Sequence, residues 1–128
     1  MTYASRLLPR ILFRLARSSL ARRAGWVFAH MTFALPLQRL RETPTLVAFH
    51  HPRPSHPVHI LIAPRKAIGS LADLTSADQP LLADVVQAVQ SLAAGHRLEA
   101  AGYRLVVNGG AYQDIPQLHF HLISGAPG

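Results

Sequence analysis

Cysteine is absent from this sequence of 128 residues. Disulfide bonds, thiolate metal sites and a cysteine nucleophile are therefore excluded, and a reducing cytosol is compatible with the composition. The sequence also lacks an apolar run of the ~18–20 residues that a membrane-spanning helix needs. No internal repeat or low-complexity segment occurs. The length and the 49% hydrophobic content predict one domain with a core of its own.

Acidic residues are absent from the first 41 positions, which hold eight arginines. The net charge of +7 is therefore concentrated there, because five basic and six acidic side chains follow from Glu42 onward. Residues 4–23 are predicted to form an amphipathic helix with an arginine face. Such a helix suits an anionic membrane surface, or it packs on the domain and aids solubility. We expect no specific nucleic-acid partner, and a cytoplasmic location with the membrane surface as an alternative.

The chain is divided here into a basic amphipathic N-terminal arm, 1–25, and a domain, 26–128. The domain is predicted to contain one long helix, which begins near Asp78 because Thr75-x-x-Asp78 resembles a capping box, and which Gly102 ends. Alternating and β-branched patterns predict strands on both sides of this helix. Strands, then a helix, then a strand pair indicate an α+β domain with an antiparallel sheet. The predicted strands are 26–33, 45–49, 58–63, 103–108 and 117–123.

Two histidines and a glutamine alternate with apolar residues near the C-terminus. Side chains on a strand alternate between its faces, so Gln117, His119 and His121 are predicted to share one face. Three interpretations fit this row: a solvated sheet face, a zinc site built on His-x-His, and phosphoryl chemistry at one of the imidazoles. The spacing alone leaves all three open. Further metal ligands would have to come from His50, His51, His56 or His59.

The residues around this row resemble the motifs of the histidine triad (HIT) superfamily. That family carries His-φ-His-φ-His-φ-φ, where φ is apolar, preceded by Asn-x-Gly and a loop glutamine. His119 and His121 match the second and third histidines of the triad. Asn108 and Gly110 match the Asn-x-Gly, and Gln113 matches the loop glutamine.

A second block upstream resembles the same family. Phe49-His50-His51 and a proline-containing loop precede His59, and the apolar strand after it ends at Pro64-Arg65-Lys66 with the family's spacing. The resemblance covers about residues 26–125. It implies a HIT-like fold: an antiparallel sheet of about five strands, one long helix and the N-terminal amphipathic helix. A homodimer is expected on the same ground.

The resemblance also implies an activity, that of a nucleotide-phosphate hydrolase or nucleotidyl transferase. His119 would attack the α-phosphorus and form a covalent nucleotidyl-histidine, which water then hydrolyses. His121 would contact the phosphate oxygens, and His59 would lie behind the triad and influence its protonation. Asn108 and Gln113 would contact the substrate. Nucleoside phosphoramidates and dinucleoside polyphosphates are the expected substrates, with no cofactor and no metal.

Three positions depart from the family pattern. Gln117 stands at the first triad histidine and cannot carry a proton, so a relay from His59 through this position would be interrupted. Asp114 stands where many relatives have Ser or Thr beside the phosphate, and its carboxylate would repel an anion. His51 stands where a nucleotide-binding relative has an aspartate that contacts the ribose. These differences support the alternative of a catalytically reduced nucleotide- or phosphate-binding module.

Overall fold

The computed structural model describes residues 38–128, so the predictions for the arm, 1–25, and for the strand at 26–33 lie outside the described residues. The described part contains five strands and two helices, of which one is long. The strands are β1 (Arg39–Glu42), β2 (Leu46–His50), β3 (Val58–Pro64), β4 (Arg104–Val107) and β5 (Phe120–Ser124). The helices are α1 (Gln79–Gly95) and α2 (Leu98–Ala101), and short 3-10 turns occupy Leu71–Asp73, Ser76–Asp78 and Gly110–Tyr112.

The five strands form one antiparallel sheet in the order β1-β2-β3-β5-β4. The predicted α+β fold, with five antiparallel strands and one long helix, is therefore confirmed. The pairing of β3 with β5 matters most for function, because it places Leu61 opposite His121 and His59 opposite Ile123. Residues opposite each other in an antiparallel pair share one face, so His59 and His121 lie on the same side of the sheet.

The other side of the sheet packs against α1. Ile60 and Leu122 from the central strands have no exposed surface, and Val85 and Leu92 meet them from the apolar stripe of the helix. Each fully buried side chain of this kind contributes roughly 1.5–3 kcal/mol relative to its exposed state. This core holds β3 and β5 in a fixed register, and the histidines on the opposite face take their positions from it.

The ends of α1 show which capping signals act. Asp78 accepts the backbone N–H of Thr75, and the Thr75 hydroxyl accepts the N–H of Ala77, so the predicted capping box is present. The sequence predicted that the helix would extend to Gly102. It ends at Gly95 instead, because Arg97 adopts a left-handed φ of 55°. Gly102, with φ of 90°, instead ends the short helix α2.

One strand was not predicted, and another begins later than predicted. β1 was not predicted, because Leu40 is the only apolar residue among its four. The strand forms by pairing with β2, and the side chain of Arg39 forms an ion pair with Glu42. β5 begins at Phe120 and not at residue 117, because the N–H of Leu118 donates to the carbonyl of Ile68 at 2.7 Å. Within residues 38–128 no helix is long and apolar enough to cross a membrane.

Candidate active site

Adjacent strands bring two histidines into direct contact on the face of the sheet away from α1. Nε2 of His59 lies 2.8 Å from Nδ1 of His121, and the ring centroids are 5.1 Å apart. His59 is buried, with 7% of its surface exposed, and His121 is half-buried. The pairing of β3 with β5 sets this distance, so the backbone of the sheet holds the two rings in contact.

The backbone before β3 determines the protonation pattern of this pair. The N–H of Ser55 donates to Nδ1 of His59 at 3.1 Å, so that nitrogen is the acceptor and the ring proton is on Nε2. The Nε2–H of His59 then donates to Nδ1 of His121, which places the proton of His121 on its own Nε2. That atom is buried and has no hydrogen-bond partner among the described residues. A buried donor without a partner is costly, and a ligand oxygen would satisfy it.

His119 has the opposite pattern. Its Nδ1 lies 2.7 Å from the backbone carbonyl of Gln117. A carbonyl only accepts, so Nδ1 carries the proton and the lone pair is on Nε2. The ring is half-buried, and its centroid is 4.9 Å from that of His121. The site therefore presents a nucleophilic nitrogen on one imidazole and an N–H donor on the next.

Three histidines of this site, His51, His59 and His121, have pKa values lowered by their surroundings. Burial first, and then the neighbouring His51 and His56, lower the pKa of His59 to about 4. Burial lowers the pKa of His121 to about 4 as well, with further contributions from His119, His59 and His51. Burial and the nearby His119 also lower the pKa of His51. No carboxylate contributes to these shifts, so the cluster carries no countercharge of its own and favours an anion.

The loop between β2 and β3 adds two more imidazoles. His51 stacks on His59 with ring centroids 4.3 Å apart, and it lies 6.2 Å from the ring of His121. Its Nδ1 accepts the N–H of Arg53 at 2.9 Å, so its proton is also on Nε2. His56 contacts the ring of His59 edge-on at 6.1 Å. His51, predicted to bind substrate, is thus part of the cluster.

Asn108 directly follows β4. β4 pairs Val107 with Phe120, and continuing this register by one residue places Asn108 opposite His119. The side chain of Asn108 is half-buried. Its contact with substrate stays a prediction.

The two glutamines and the aspartate have different surroundings. Gln117 is 1% exposed and its amide nitrogen donates to the carbonyl of Lys66 at 3.3 Å, while its Oε1 is buried without a partner among residues 38–128. The amide of Gln113 donates to the carbonyl of Gly69. Asp114 is exposed. These contacts attach the loop before β5 to the segment after β3.

The structure corrects one expectation about Gln117. A proton relay from His59 was expected to pass through position 117 and to be interrupted there. Instead, His59 contacts His121 directly, and only the backbone carbonyl of Gln117 contacts a histidine of the site. The hydrogen-bonded pair of His59 and His121 therefore does not pass through the side chain of Gln117.

Sequence reasoning missed Ser55 and considered His56 only as a metal ligand. Both lie in a proline-rich loop without periodicity, so no pattern indicates that they approach His59. In the described part of the chain, no group of three or more His, Asp or Glu side chains is arranged to hold a metal ion.

Comparison with known proteins agrees with this geometry. The HIT domain profile matches residues 33–128, which is most of the chain and includes both histidine-bearing strands. The chain belongs to the HIT family. It is 37% identical over 92 residues to a HIT-like protein of Chlamydia pneumoniae, which covers 70% of this chain and 83% of that protein.

Solved structures of the HIT family have the same fold. A HIT family hydrolase from Legionella pneumophila superposes with a TM-score of 0.70 at 33% identity, covering 78% of this chain and 92% of that one. A histidine triad nucleotide-binding protein from Candida albicans superposes with a TM-score of 0.68 at 26% identity, covering 77% and 73%.

Proposed function

We propose that this HIT protein is a hydrolase or transferase that cleaves a nucleotide derivative at its α-phosphorus through a covalent intermediate on His119. One observation carries the proposal: the ring of His119, whose Nδ1 is held by the carbonyl of Gln117, lies 4.9 Å from the ring of His121, whose buried Nε2–H has no partner among residues 38–128. A nucleophile and an adjacent donor are the two groups that phosphoryl transfer requires of a protein side chain.

In the first step, Nε2 of His119 attacks the phosphorus and a nitrogen–phosphorus bond forms. The bond to the leaving group breaks, and its electron pair departs with that group. The carbonyl of Gln117 holds the Nδ1–H of His119 throughout, which stabilises the positive charge that the ring gains. The lowered pKa of His121 keeps this residue neutral before substrate binds, so its Nε2–H donates to the phosphoryl group or the leaving atom.

In the second step, water attacks the same phosphorus and releases His119. Phosphate oxygens carry negative charge in both steps, and the surrounding groups are donors. His51 and Asn108 are proposed to contact these oxygens, since both lie at the edge of the cluster. His51 offers an N–H where a ribose-binding site would offer a carboxylate. The proposed recognition is therefore of the phosphate more than of the sugar.

The proposal that the substrate is a nucleotide is supported by the names of two structural neighbours and by no contact in this chain. The Candida albicans neighbour is a histidine triad nucleotide-binding protein, and the Legionella pneumophila neighbour is a HIT family hydrolase. Adenosine phosphoramidates and dinucleoside polyphosphates are the substrates we propose to test first.

The deciding experiment is intact-protein mass spectrometry after brief incubation with an adenosine phosphoramidate and, separately, a dinucleoside polyphosphate. We expect a nucleotidyl adduct that maps to His119, with free nucleotide accumulating. His119→Asn is the matched control and should give no adduct. AMP binding without any adduct or product would contradict the enzyme proposal and support a non-catalytic phosphate-binding module.

A further inference from the structure

We propose that Ser55 and His56 form the outer part of a proton path, which starts at a cavity beside β4 and β5 and ends at Nε2 of His121. The path supplies the leaving group with a proton. The role of the path in turnover rests on the proposed function. The contacts that form the path are present in the protein without substrate.

Four groups form a continuous chain of hydrogen-bonding contacts. Nδ1 of His56 lies 2.8 Å from Oγ of Ser55, and this Oγ lies 3.3 Å from Nδ1 of His59. Nε2 of His59 lies 2.8 Å from Nδ1 of His121, whose own Nε2 is the buried atom without a partner among residues 38–128. Every member both accepts and donates, so the chain can move a proton along its length.

The outer end of the chain adjoins a cavity of about 490 Å³. His56 lines this cavity together with Tyr103, Arg104 and Ile123. Ile123 of β5 lines the cavity and pairs directly with His59 of β3, so the cavity begins one strand away from the buried histidine. The cavity is lined by Ile123, Ser124 and Gly125, at the end of β5 away from His119.

The inner part of the chain cannot supply a proton alone. His59 and His121 each hold one ring proton, and the N–H of Ser55 that contacts His59 does not ionise. If His121 gave its proton to a leaving group, His59 would have to replace it and would be left without one. A replacement proton therefore has to enter at Nδ1 of His59, and the hydroxyl of Ser55 contacts this atom and can accept one proton while it donates another.

The transfer balances with one proton taken from solvent. Protonated His56 gives its Nδ1 proton to Oγ of Ser55, and the hydroxyl proton passes to Nδ1 of His59. The Nε2 proton of His59 passes to Nδ1 of His121, and the Nε2 proton of His121 passes to the leaving atom as its bond to phosphorus breaks. His56 is then neutral and takes up another proton from the cavity.

The titratable groups around the path come from every adjoining element. His51 and Arg53 belong to the same loop as His56, and His119 lies just before β5. Arg104 of β4 faces the cavity. None of these groups is acidic, so none of them would compete with the leaving group for the proton.

The test compares two substrates with different leaving groups. A phosphoramidate with an alkylamine leaving group requires protonation, whereas a p-nitrophenyl phosphodiester of adenosine releases a stable anion. We expect His56→Asn and Ser55→Ala to slow the phosphoramidate by about 10- to 100-fold and the nitrophenyl ester by less than about threefold. His50→Asn is the matched control, because His50 is exposed and its ring faces His96. Equal losses on both substrates would overturn the proposal.

Chemical rescue separates proton delivery from a structural role. Added imidazole should restore phosphoramidate turnover in His56→Ala, because the cavity admits a molecule of this size, and should not restore it in Ser55→Ala. Failure of imidazole to rescue His56→Ala, with the protein folded, would contradict the path.

A second measurement does not depend on turnover. Solvent exchange of the Nε2–H of His59, followed by nitrogen-15 NMR, should slow several-fold in His56→Asn and Ser55→Ala and remain unchanged in His50→Asn. Unchanged exchange in the first two variants would overturn the path even in an active enzyme. If exchange slows in the variants but the wild-type protein shows no turnover, the path is supported and the proposed function is contradicted.

Discussion

The backbone carbonyl of Gln117 accepts the Nδ1–H of His119 at 2.7 Å, while the side chain of Gln117 turns to the carbonyl of Lys66. The proposed nucleophile is therefore oriented by the main chain at position 117. The side chain at this position contributes to packing of the loop before β5. This separation explains how a glutamine fits beside the proposed nucleophile.

Gln117→His is expected to change the rate of nucleotide turnover by less than about fivefold. The carbonyl that orients His119 is retained, and the direct contact between His59 and His121 does not pass through this side chain. Steady-state kinetics of the variant and the wild type on one phosphoramidate provide the measurement. A gain of a hundredfold or more on this substitution would show that the side chain takes part in proton transfer.

His119→Ala is expected to lower turnover by at least about 10³-fold, because the proposed nucleophile is removed. Stability should change little, since the ring is half-buried and, within residues 38–128, it makes one hydrogen bond, to the carbonyl of Gln117. Kinetics and thermal unfolding of the same preparation test both statements. His50→Ala is the control, and a similar loss of activity in both variants would contradict the assignment.

His51→Asp is expected to weaken AMP binding by about tenfold, because it places a carboxylate among groups that favour an anion. The same substitution should raise the pKa of His59, since His51 stacks on that ring and its charge contributes to lowering it. Calorimetry with AMP and an NMR titration of His59 provide the two measurements. His51→Asn, which adds no charge, should have the smaller effect on affinity; tighter AMP binding by His51→Asp would indicate ribose recognition at this position.

The sequence predicted the parts of the molecule that depend on periodic pattern and spaced motifs. The bounds of β2, β3 and β4 and the start of α1 lie within one residue of the predictions, because alternation and an apolar stripe determine which face is buried. The histidines on β3 and β5 were predicted from motif spacing, and the structure places His59, His119 and His121 together.

Other features depend on contacts that no local pattern reveals. β1 forms only because β2 offers an edge, and the long helix ends early because Arg97 takes a left-handed conformation. The approach of Ser55 to His59 results from the path of a proline-rich loop. The direction of the Gln117 side chain follows from the carbonyl of Lys66, far away in the sequence.

Gly125→Ala is expected to destabilise the protein by about 1–3 kcal/mol. Gly125 has φ of 88°, and an added Cβ would lie 2.7 Å from Cγ of Pro57, in the loop next to His56. Chemical unfolding of the variant provides the measurement. Gly95→Ala is the matched control, since nothing lies within 4 Å of its Cβ position and it ends α1, and it should be neutral or stabilising. Equal stability of Gly125→Ala and wild type would contradict the close approach.

The stability of the protein is expected to fall as pH decreases from about 6.5 to about 4. The pKa values of His59 and His121 are lowered from 6.5 to about 4 in the fold, so the unfolded chain binds more protons than the native state in this interval. The free energy of unfolding therefore rises with pH across it and levels off above pH 6.5, with a change on the order of 1–3 kcal/mol. Urea unfolding at several pH values measures this slope. His59→Phe should reduce the slope, whereas His50→Asn should not, and equal slopes in all three proteins would show that the buried histidines do not cause the pH dependence.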